Sequence, residues 1–140
     1  MLLSRVVPPE LQPEPGLELM DIPDEETDKK IRKAEAQREK ELGNAAYKKK
    51  DFETAIQHYT KVMDLDDDDI FYITNRAACY TNLGAFPEGL KDVNKCIELD
   101  PSFTKGYSRK ATVQLFMKEY DKAMELIRKV SNMMKATRNY

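Results

Sequence analysis

The sequence repeats with a period of 34 residues, and this period constrains the fold more than any other feature. Small, aromatic and aliphatic side chains recur at fixed registers in three successive copies. A unit of this length accommodates two helices with their turns, and it needs a stacked neighbour to bury its apolar face. The aligned sets are Gly43, Ala77 and Ala111; Phe52, Phe86 and Tyr120; Ala55, Gly89 and Ala123; Ile56, Leu90 and Met124; Lys61, Lys95 and Lys129; Val62, Cys96 and Val130; and Leu65, Leu99 and Met133.

Turn signals divide each copy into two helices and separate one copy from the next. Within the copies they are the pairs at 50–51, 84–85 and 118–119, and between the copies they are the acidic run 66–69 and the segment 100–102. The sequence therefore predicts an all-α fold of six helices. We expect them at about 28–49, 52–65, 70–83, 86–99, 103–117 and 120–135.

The formal net charge of −2 conceals a division of the chain into two parts. Residues 1–28 carry a charge of −7 and the remainder carries +5, and five of the seven prolines precede Asp24. Proline removes backbone donors and like charges repel each other, so the sequence predicts a disordered acidic leader over 1–27. A repeat domain over 28–140 follows it, with units at about 36–69, 70–103 and 104–137.

The repeat resembles the tetratricopeptide repeat family over residues 36–137. The family's motif residues are matched by Leu42, Gly43, Ala55 and Tyr59 in the first unit, by Ala77, Tyr80 and Pro101 in the second, and by Ala111 and Ala123 in the third. This resemblance implies a right-handed helical superhelix. The first helix of each unit would line its concave groove.

Five polar residues lie on the helices that would line this groove. Lys40 and Asn44 are four residues apart, hence on one helix face, and Lys105 and Arg109 repeat that spacing. Asn75 lies on the helix between them. Three cations and two amides without a carboxylate of their own favour an anionic ligand, and a pair of carboxylates fits best.

These five positions also resemble the "carboxylate clamp" of tetratricopeptide repeat co-chaperones. By that resemblance the ligand is the C-terminal Glu-Glu-Val-Asp of Hsp90 or Hsp70, whose terminal Asp carries two carboxylates. Tyr47 and Ala78 are our candidates for reading the residues upstream of that Asp. The stretch 41–52 is similar to the middle repeat domain of the Hsp70–Hsp90 organising proteins, and 74–81 and 105–111 to their last one, so both chaperones stay open as partners.

The same sequence argues against other classes of function. The near-zero charge gives no reason for nucleic-acid binding, and no apolar run is long enough to span a membrane. A single histidine builds neither a metal cluster nor a catalytic set, so we expect no enzyme, no cofactor and no metal site. Two cysteines, expected to be buried, indicate a reducing compartment. We expect the cytoplasm, with the nucleus open as an additional location.

We therefore expect a co-chaperone adaptor, and two alternatives to it stay open. The chain could instead be a structural scaffold that binds internal segments of a partner, or an appendage of a larger multidomain protein. The sixth helix carries four apolar residues that we expect to be partly uncovered, namely Met124, Ile127, Val130 and Met134. We therefore expect weak self-association through this helix.

Overall fold

The computed structural model describes residues 24–65 and 69–138, and within these ranges it contains six helices and no strand. The predicted all-α architecture is confirmed, and the helix ends differ from the predicted ones by three residues or fewer. The helices are α1 (Glu25–Lys48), α2 (Phe52–Asp64), α3 (Ile70–Asn82), α4 (Phe86–Leu99), α5 (Thr104–Phe116) and α6 (Tyr120–Arg138).

Helix α1 begins three residues before the predicted position because Asp24 caps it. The side chain of Asp24 accepts the backbone N–H of Thr27 at 2.7 Å. Apart from residues 24–27, the predicted acidic leader lies outside the described residues. The described residues divide into two units between Arg32 and Lys33. The first unit ends with the early turns of α1, and the second contains the rest of α1 and the five following helices.

The turns inside the three hairpins repeat with the 34-residue period of the sequence. Lys50, Gly84 and Lys118 have φ values of 61°, 78° and 63°, in the left-handed region. In each turn the next residue's N–H bonds to the carbonyl five residues back, namely Asp51 to Ala46, Ala85 to Tyr80, and Glu119 to Gln114. This pattern is the Schellman motif, which satisfies the last carbonyls of a helix.

The repeat positions that hold small residues are buried, because neighbouring helices approach closely there. Ala55 and Ala123 have no exposed surface. A Cβ added to Gly43 would lie 2.6 Å from the ring of Tyr59, so only glycine allows this contact between α1 and α2. Within the second unit, each helix from α2 to α5 packs on the next one along the chain, and α3 also contacts α5.

A buried ion pair joins three helices, and the sequence analysis missed it. The guanidinium of Arg76 in α3 donates twice to the carboxylate of Asp92 in α4, at 2.8 and 2.7 Å. It also donates to Thr60 in α2 at 3.3 Å. Burial opposes the charge on Arg76, but the hydrogen bonds and charge of Asp92 outweigh this effect and raise its pKa. Because Arg76 follows Asn75, this pair also fixes the helix that carries a predicted ligand-binding amide.

The two cysteines are buried, as predicted, and both are free thiols. Neither Cys79 nor Cys96 has exposed surface. Burial raises the pKa of Cys79 to about 12 and also raises that of Cys96. Both groups therefore remain protonated at neutral pH.

Helix α6 leaves several apolar side chains in solvent. Tyr120, Met124, Ile127 and Met134 are all exposed, and Met124 keeps 53% of its surface. The rings of Phe52 and Phe86 are half-buried, whereas that of Tyr120, at the same register, is exposed. Self-association through this helix stays a prediction. No helix in the described part of the chain is long and apolar enough to cross a membrane.

Candidate functional site: a cationic and amide-lined groove

Asn44 and Asn75 meet between α1 and α3, as a shared binding site requires. The Nδ2 of Asn75 donates to Oδ1 of Asn44 at 3.3 Å, and the hydroxyl of Tyr59 donates to the same oxygen at 2.5 Å. Burial raises the pKa of Tyr59 to about 12, so this hydroxyl keeps its proton and remains a donor. Because the oxygen of Asn44 is engaged twice, its Nδ2 is the group with which it can bind an acceptor.

Lys40 lies one helical turn before Asn44 and contacts a carboxylate of the chain itself. Its Nζ is 3.2 Å from Oδ2 of Asp69, and both side chains are partly buried. The other carboxylate oxygen of Asp69 accepts the backbone N–H of Phe71 at 2.8 Å and caps α3. From the sequence, the acidic run 66–69 is predicted only as a turn. No helical spacing indicates that its last residue, Asp69, contacts α1.

Arg109 borders a cavity of about 210 Å³ between α3 and α5. Its Nε is buried and has no hydrogen-bond partner among the described residues. A buried donor without a partner is costly, and an anionic acceptor entering the cavity would satisfy it. The lining residues are Ala78, Thr81, Asn82, Arg109, Thr112 and Phe116.

Lys105 stands in the first turns of α5, four residues before Arg109. Its side chain is exposed, which suits a cation that meets its ligand in solvent. The five predicted residues therefore lie on α1, α3 and α5. The structure brings the two amides into direct contact. The part of Lys105 in the site stays a prediction.

The two residues predicted to read the upstream part of a ligand differ in their surroundings. Ala78 is buried, and it lines the same cavity as Arg109. Tyr47 packs edge-on against Phe52, with ring centroids 6.0 Å apart, so part of its ring belongs to the α1–α2 hairpin. Contact of either residue with a ligand stays a prediction.

The chemistry of this site is that of an anion binder. The predicted set combines three cations with two amides, and the carboxylate of Asp69 contacts one of these cations, Lys40. Charge-assisted hydrogen bonds to a carboxylate are about twice as strong as neutral ones. In residues 24–65 and 69–138 no cluster of His, Cys, Asp and Glu is arranged to hold a metal ion.

Comparison with known protein sequences identifies one matching family profile and several relatives. Residues 41–69 match the sequence profile of the tetratricopeptide repeat. The Hsp70-Hsp90 organizing protein 3 of Arabidopsis thaliana is 59% identical over 90 residues, which cover 64% of this chain. The aligned region is 16% of that relative, so the chain spans about one sixth of the length of such curated relatives.

Solved structures with the same helical arrangement include domains that hold chaperone peptides. The TPR2B domain of yeast Sti1, solved in complex with an Hsp70 peptide, has a TM-score of 0.70 and is 34% identical. This match covers 76% of the present chain and 85% of that domain. The second tetratricopeptide repeat domain of Spaghetti, bound to the Hsp90 peptide SRMEEVD, has a TM-score of 0.69 at 27% identity, with 76% and 97% of the two chains covered.

Proposed function

This chain belongs to the tetratricopeptide repeat family, and on that premise we propose that it is a co-chaperone adaptor for the C-terminal Glu-Glu-Val-Asp peptide of Hsp90 and/or Hsp70. The contact between Asn44 and Asn75 carries the proposal, because it joins two amides from different repeats at one point of the groove. Lys40 precedes this pair on α1, and the cations of α5 complete the set. An adaptor of this kind needs no catalytic chemistry.

The terminal Asp of such a peptide matches the site in charge and in number of carboxylates. It offers the side-chain carboxylate and that of the chain end, whereas an internal Asp offers only the first. We assign the charge to Lys40, Lys105 and Arg109, and the orientation of the carboxylates to Asn44 and Asn75. Hydrogen bonds to charged groups contribute about 1.5–3 kcal/mol each, and ordering a flexible peptide offsets part of this gain, so we expect micromolar affinity.

Both chaperones remain candidates, because the relatives have been solved with peptides of either one. The proposed place of action is the cytoplasm. The free thiols of Cys79 and Cys96 are compatible with a reducing compartment of this kind.

Calorimetry with the peptide SRMEEVD and with its C-terminally amidated form tests the proposal. We expect the free acid to bind and the amide to lose at least tenfold in affinity, because amidation removes one of the two terminal carboxylates. Equal binding of both forms would refute the recognition of a chain end. That outcome would favour a scaffold that holds internal segments of its partner.

Substitution of Arg109 tests the same site from the protein side. Arg109→Ala should weaken binding by about 1–3 kcal/mol, because it removes a charged donor, while leaving the circular dichroism spectrum unchanged. Arg128→Ala is the matched control, since Arg128 is an exposed arginine of α6, away from the cavity that Arg109 lines. An equal effect of both substitutions would indicate general attraction between charges instead of a defined site.

A further inference from the structure

The side chain of Tyr59 reaches from α2 to the two amides of the candidate site. Tyr59 has no exposed surface, and its hydroxyl donates to Oδ1 of Asn44 at 2.5 Å. Asn75 donates to the same oxygen at 3.3 Å. Burial raises the pKa of Tyr59 to about 12, and a hydrogen bond with Asn75 acts in the opposite direction. One buried hydroxyl therefore interacts with both amides.

The ring of Tyr59 is held on two sides, so its hydroxyl has a fixed position. On α1, a Cβ added to Gly43 would lie 2.6 Å from this ring, hence the ring fills the space that the glycine leaves. On α3, the ring of Tyr72 lies with its centroid 6.2 Å away. Because Gly43 directly precedes Asn44, the close approach that packs the ring also brings the hydroxyl within reach of the amide.

The packing of this register does not require a hydroxyl. The register of Tyr59 holds Val93 in the second repeat and an isoleucine in the third. Val93 is as fully buried as Tyr59, so an apolar side chain is sufficient there. The register of Asn44 holds Ala78 in the second repeat. The hydroxyl and the amide that it contacts thus occur together in the first repeat, and the second repeat lacks both.

The orientation of the Asn44 amide decides what this residue offers to a ligand. An asparagine amide can turn over about its terminal bond, which exchanges its oxygen with its NH2 group. In one orientation Asn44 presents N–H donors to a carboxylate, and in the other it presents an oxygen that repels the carboxylate. The hydroxyl of Tyr59 has a proton to donate, so it favours the orientation in which the oxygen faces α2.

We propose that Tyr59 is a positioning residue, whose hydroxyl holds the oxygen of Asn44 toward α2 so that the N–H groups of this amide meet the ligand's carboxylate. The proposal rests on the proposed function, because that function supplies the carboxylate. Tyr59 acts through Asn44 and not by contact with the peptide, since it has no exposed surface. Its effect is preorganisation, because the amide is held in its binding orientation before the peptide arrives.

Tyr59→Phe tests this role, because it removes the hydroxyl and keeps the ring. Calorimetry measures the affinity for SRMEEVD, the peptide named above. Competition against this peptide gives the affinities for its C-terminal amide and for SRMEEVN, in which asparagine replaces the terminal aspartate. Each of these two peptides carries a carboxamide in place of one of the two terminal carboxylates.

We expect Tyr59→Phe to weaken binding of SRMEEVD about three- to tenfold, because the amide of Asn44 then adopts both orientations. At least one of the carboxamide peptides should lose less affinity than SRMEEVD, because a turned amide offers its oxygen to the NH2 group of the carboxamide. The ratio between the affinities for acid and carboxamide therefore narrows. A loss of packing alone would weaken all three peptides equally.

A double-mutant cycle shows whether the hydroxyl acts through Asn44. In the background of Asn44→Ala, Tyr59→Phe should change the affinity for SRMEEVD by less than about twofold. Tyr107→Phe is the matched control, because Tyr107 is also buried and its hydroxyl donates to the backbone carbonyl of Pro101 at 2.8 Å. This control removes a buried hydrogen bond but should leave the affinity for SRMEEVD and the ratio between acid and carboxamide unchanged.

The two proposals fail in different ways. An equal loss on Tyr59→Phe in both backgrounds, or an unchanged ratio for both carboxamide peptides, would overturn the positioning role and leave the chain-end anchor intact. Equal binding of SRMEEVD and its amide by the unaltered protein would overturn the anchor and, with it, the role of Tyr59. Circular dichroism spectra and unfolding midpoints show that each variant is folded.

Discussion

Lys40 and Asp69 form an ion pair across α1 and the start of α3, with 3.2 Å between Nζ and Oδ2. The chain thereby places a carboxylate of its own on one of the three cations proposed to receive a ligand. The same carboxylate caps α3 through the N–H of Phe71, so it is held in place by the fold. Any peptide that binds Lys40 shares this lysine with Asp69 or displaces it.

We predict that Asp69→Asn strengthens peptide binding. Asparagine caps a helix as well as aspartate does, so the start of α3 is preserved while the competing charge is removed. The pair is partly exposed, so the expected gain is about 0.5–1 kcal/mol, or two- to fivefold in affinity for SRMEEVD. Calorimetry at constant ionic strength measures this gain.

Asp51→Asn is the control for this change, because Asp51 caps α2 through the N–H of Thr54 and has the same type of substitution. Its effect on affinity should be negligible. Weaker binding by Asp69→Asn would show instead that Asp69 positions Lys40 for the ligand.

We predict that removing one partner of the ion pair between Arg76 and Asp92 destabilises the fold strongly, whereas replacing both partners by apolar residues destabilises it little. Removing one partner leaves a buried charge without compensation, so Arg76→Met or Asp92→Leu should lower the free energy of unfolding by about 3–5 kcal/mol. The double variant should recover most of this loss, because two apolar side chains fill the same space. Urea unfolding followed by circular dichroism measures all three variants.

The exposed pair of Lys122 and Glu119, with 3.7 Å between its charged atoms, is the reference for this experiment. Lys122→Ala should cost less than about 1 kcal/mol, since solvent screens the pair. A double variant of Arg76 and Asp92 that is no more stable than the single ones would contradict the prediction.

We predict opposite effects of glycine at two lysines only two residues apart. Lys50→Gly should raise the free energy of unfolding by about 0.5–1 kcal/mol, because glycine adopts the left-handed conformation without strain. Lys48→Gly should lower it by a similar amount, because Lys48 is the last residue of α1. Thermal and urea unfolding give both values, and a destabilising effect of Lys50→Gly would refute the assignment.

The converse change at Gly84 separates backbone strain from steric overlap. A Cβ added there would meet nothing within 4 Å, so only the positive φ opposes it. Gly84→Ala should therefore cost about 1 kcal/mol, all of it conformational. No loss of stability would show that the turn readily changes its backbone conformation.

We predict that stability declines at alkaline pH. The pKa values of Tyr59 and Cys79 are raised to about 12 by burial, so the folded state retains protons that the unfolded state releases above pH 10 and pH 9. The free energy of unfolding is therefore maintained below these values and falls as the pH rises towards 12. Each group contributes a slope of up to about 1.4 kcal/mol per pH unit.

Two variants isolate these contributions. Cys79→Ala should reduce the slope from about pH 9 upward, and Tyr59→Phe should reduce it from about pH 10 upward. Urea unfolding in a reducing buffer at pH 8, 9, 10 and 11 provides the slopes, and titration of surface lysines cancels in the comparison. Identical slopes for all three proteins would contradict the prediction.

The features shared by the three repeats were predictable, and those unique to one repeat were not. Gly43, Ala77 and Ala111 recur because every hairpin needs a close approach at that register, so the period itself reveals their burial. The registers of Arg76, by contrast, are occupied by Leu42 and Lys110 in the other copies. An ion pair that occurs in only one repeat leaves no periodic signal in the sequence. Which residue pairs with Arg76 becomes clear only once the helices are packed.

The same distinction between repeated and unique features explains how much of the candidate binding site could be predicted. The spacing of Lys40 and Asn44 predicted that they share one face of α1, because helical periodicity fixes which residues share a face. The 34-residue period placed Asn75 on α3, the next helix predicted to line the groove. The engagement of Lys40 by Asp69 depends on the path of the chain between α2 and α3. Neither helical period nor turn composition specifies that path.

Because Cys79 and Cys96 are buried, the reactivity of their thiols reports when the packed helical hairpins open. A thiol without exposed surface and with a raised pKa reacts with an alkylating reagent only when its surroundings open. The rate of alkylation in native buffer therefore measures how often the hairpins separate, and bound peptide should slow it. A cysteine introduced on the surface would, for the same reason, accept a fluorescent label selectively while both native thiols remain in place.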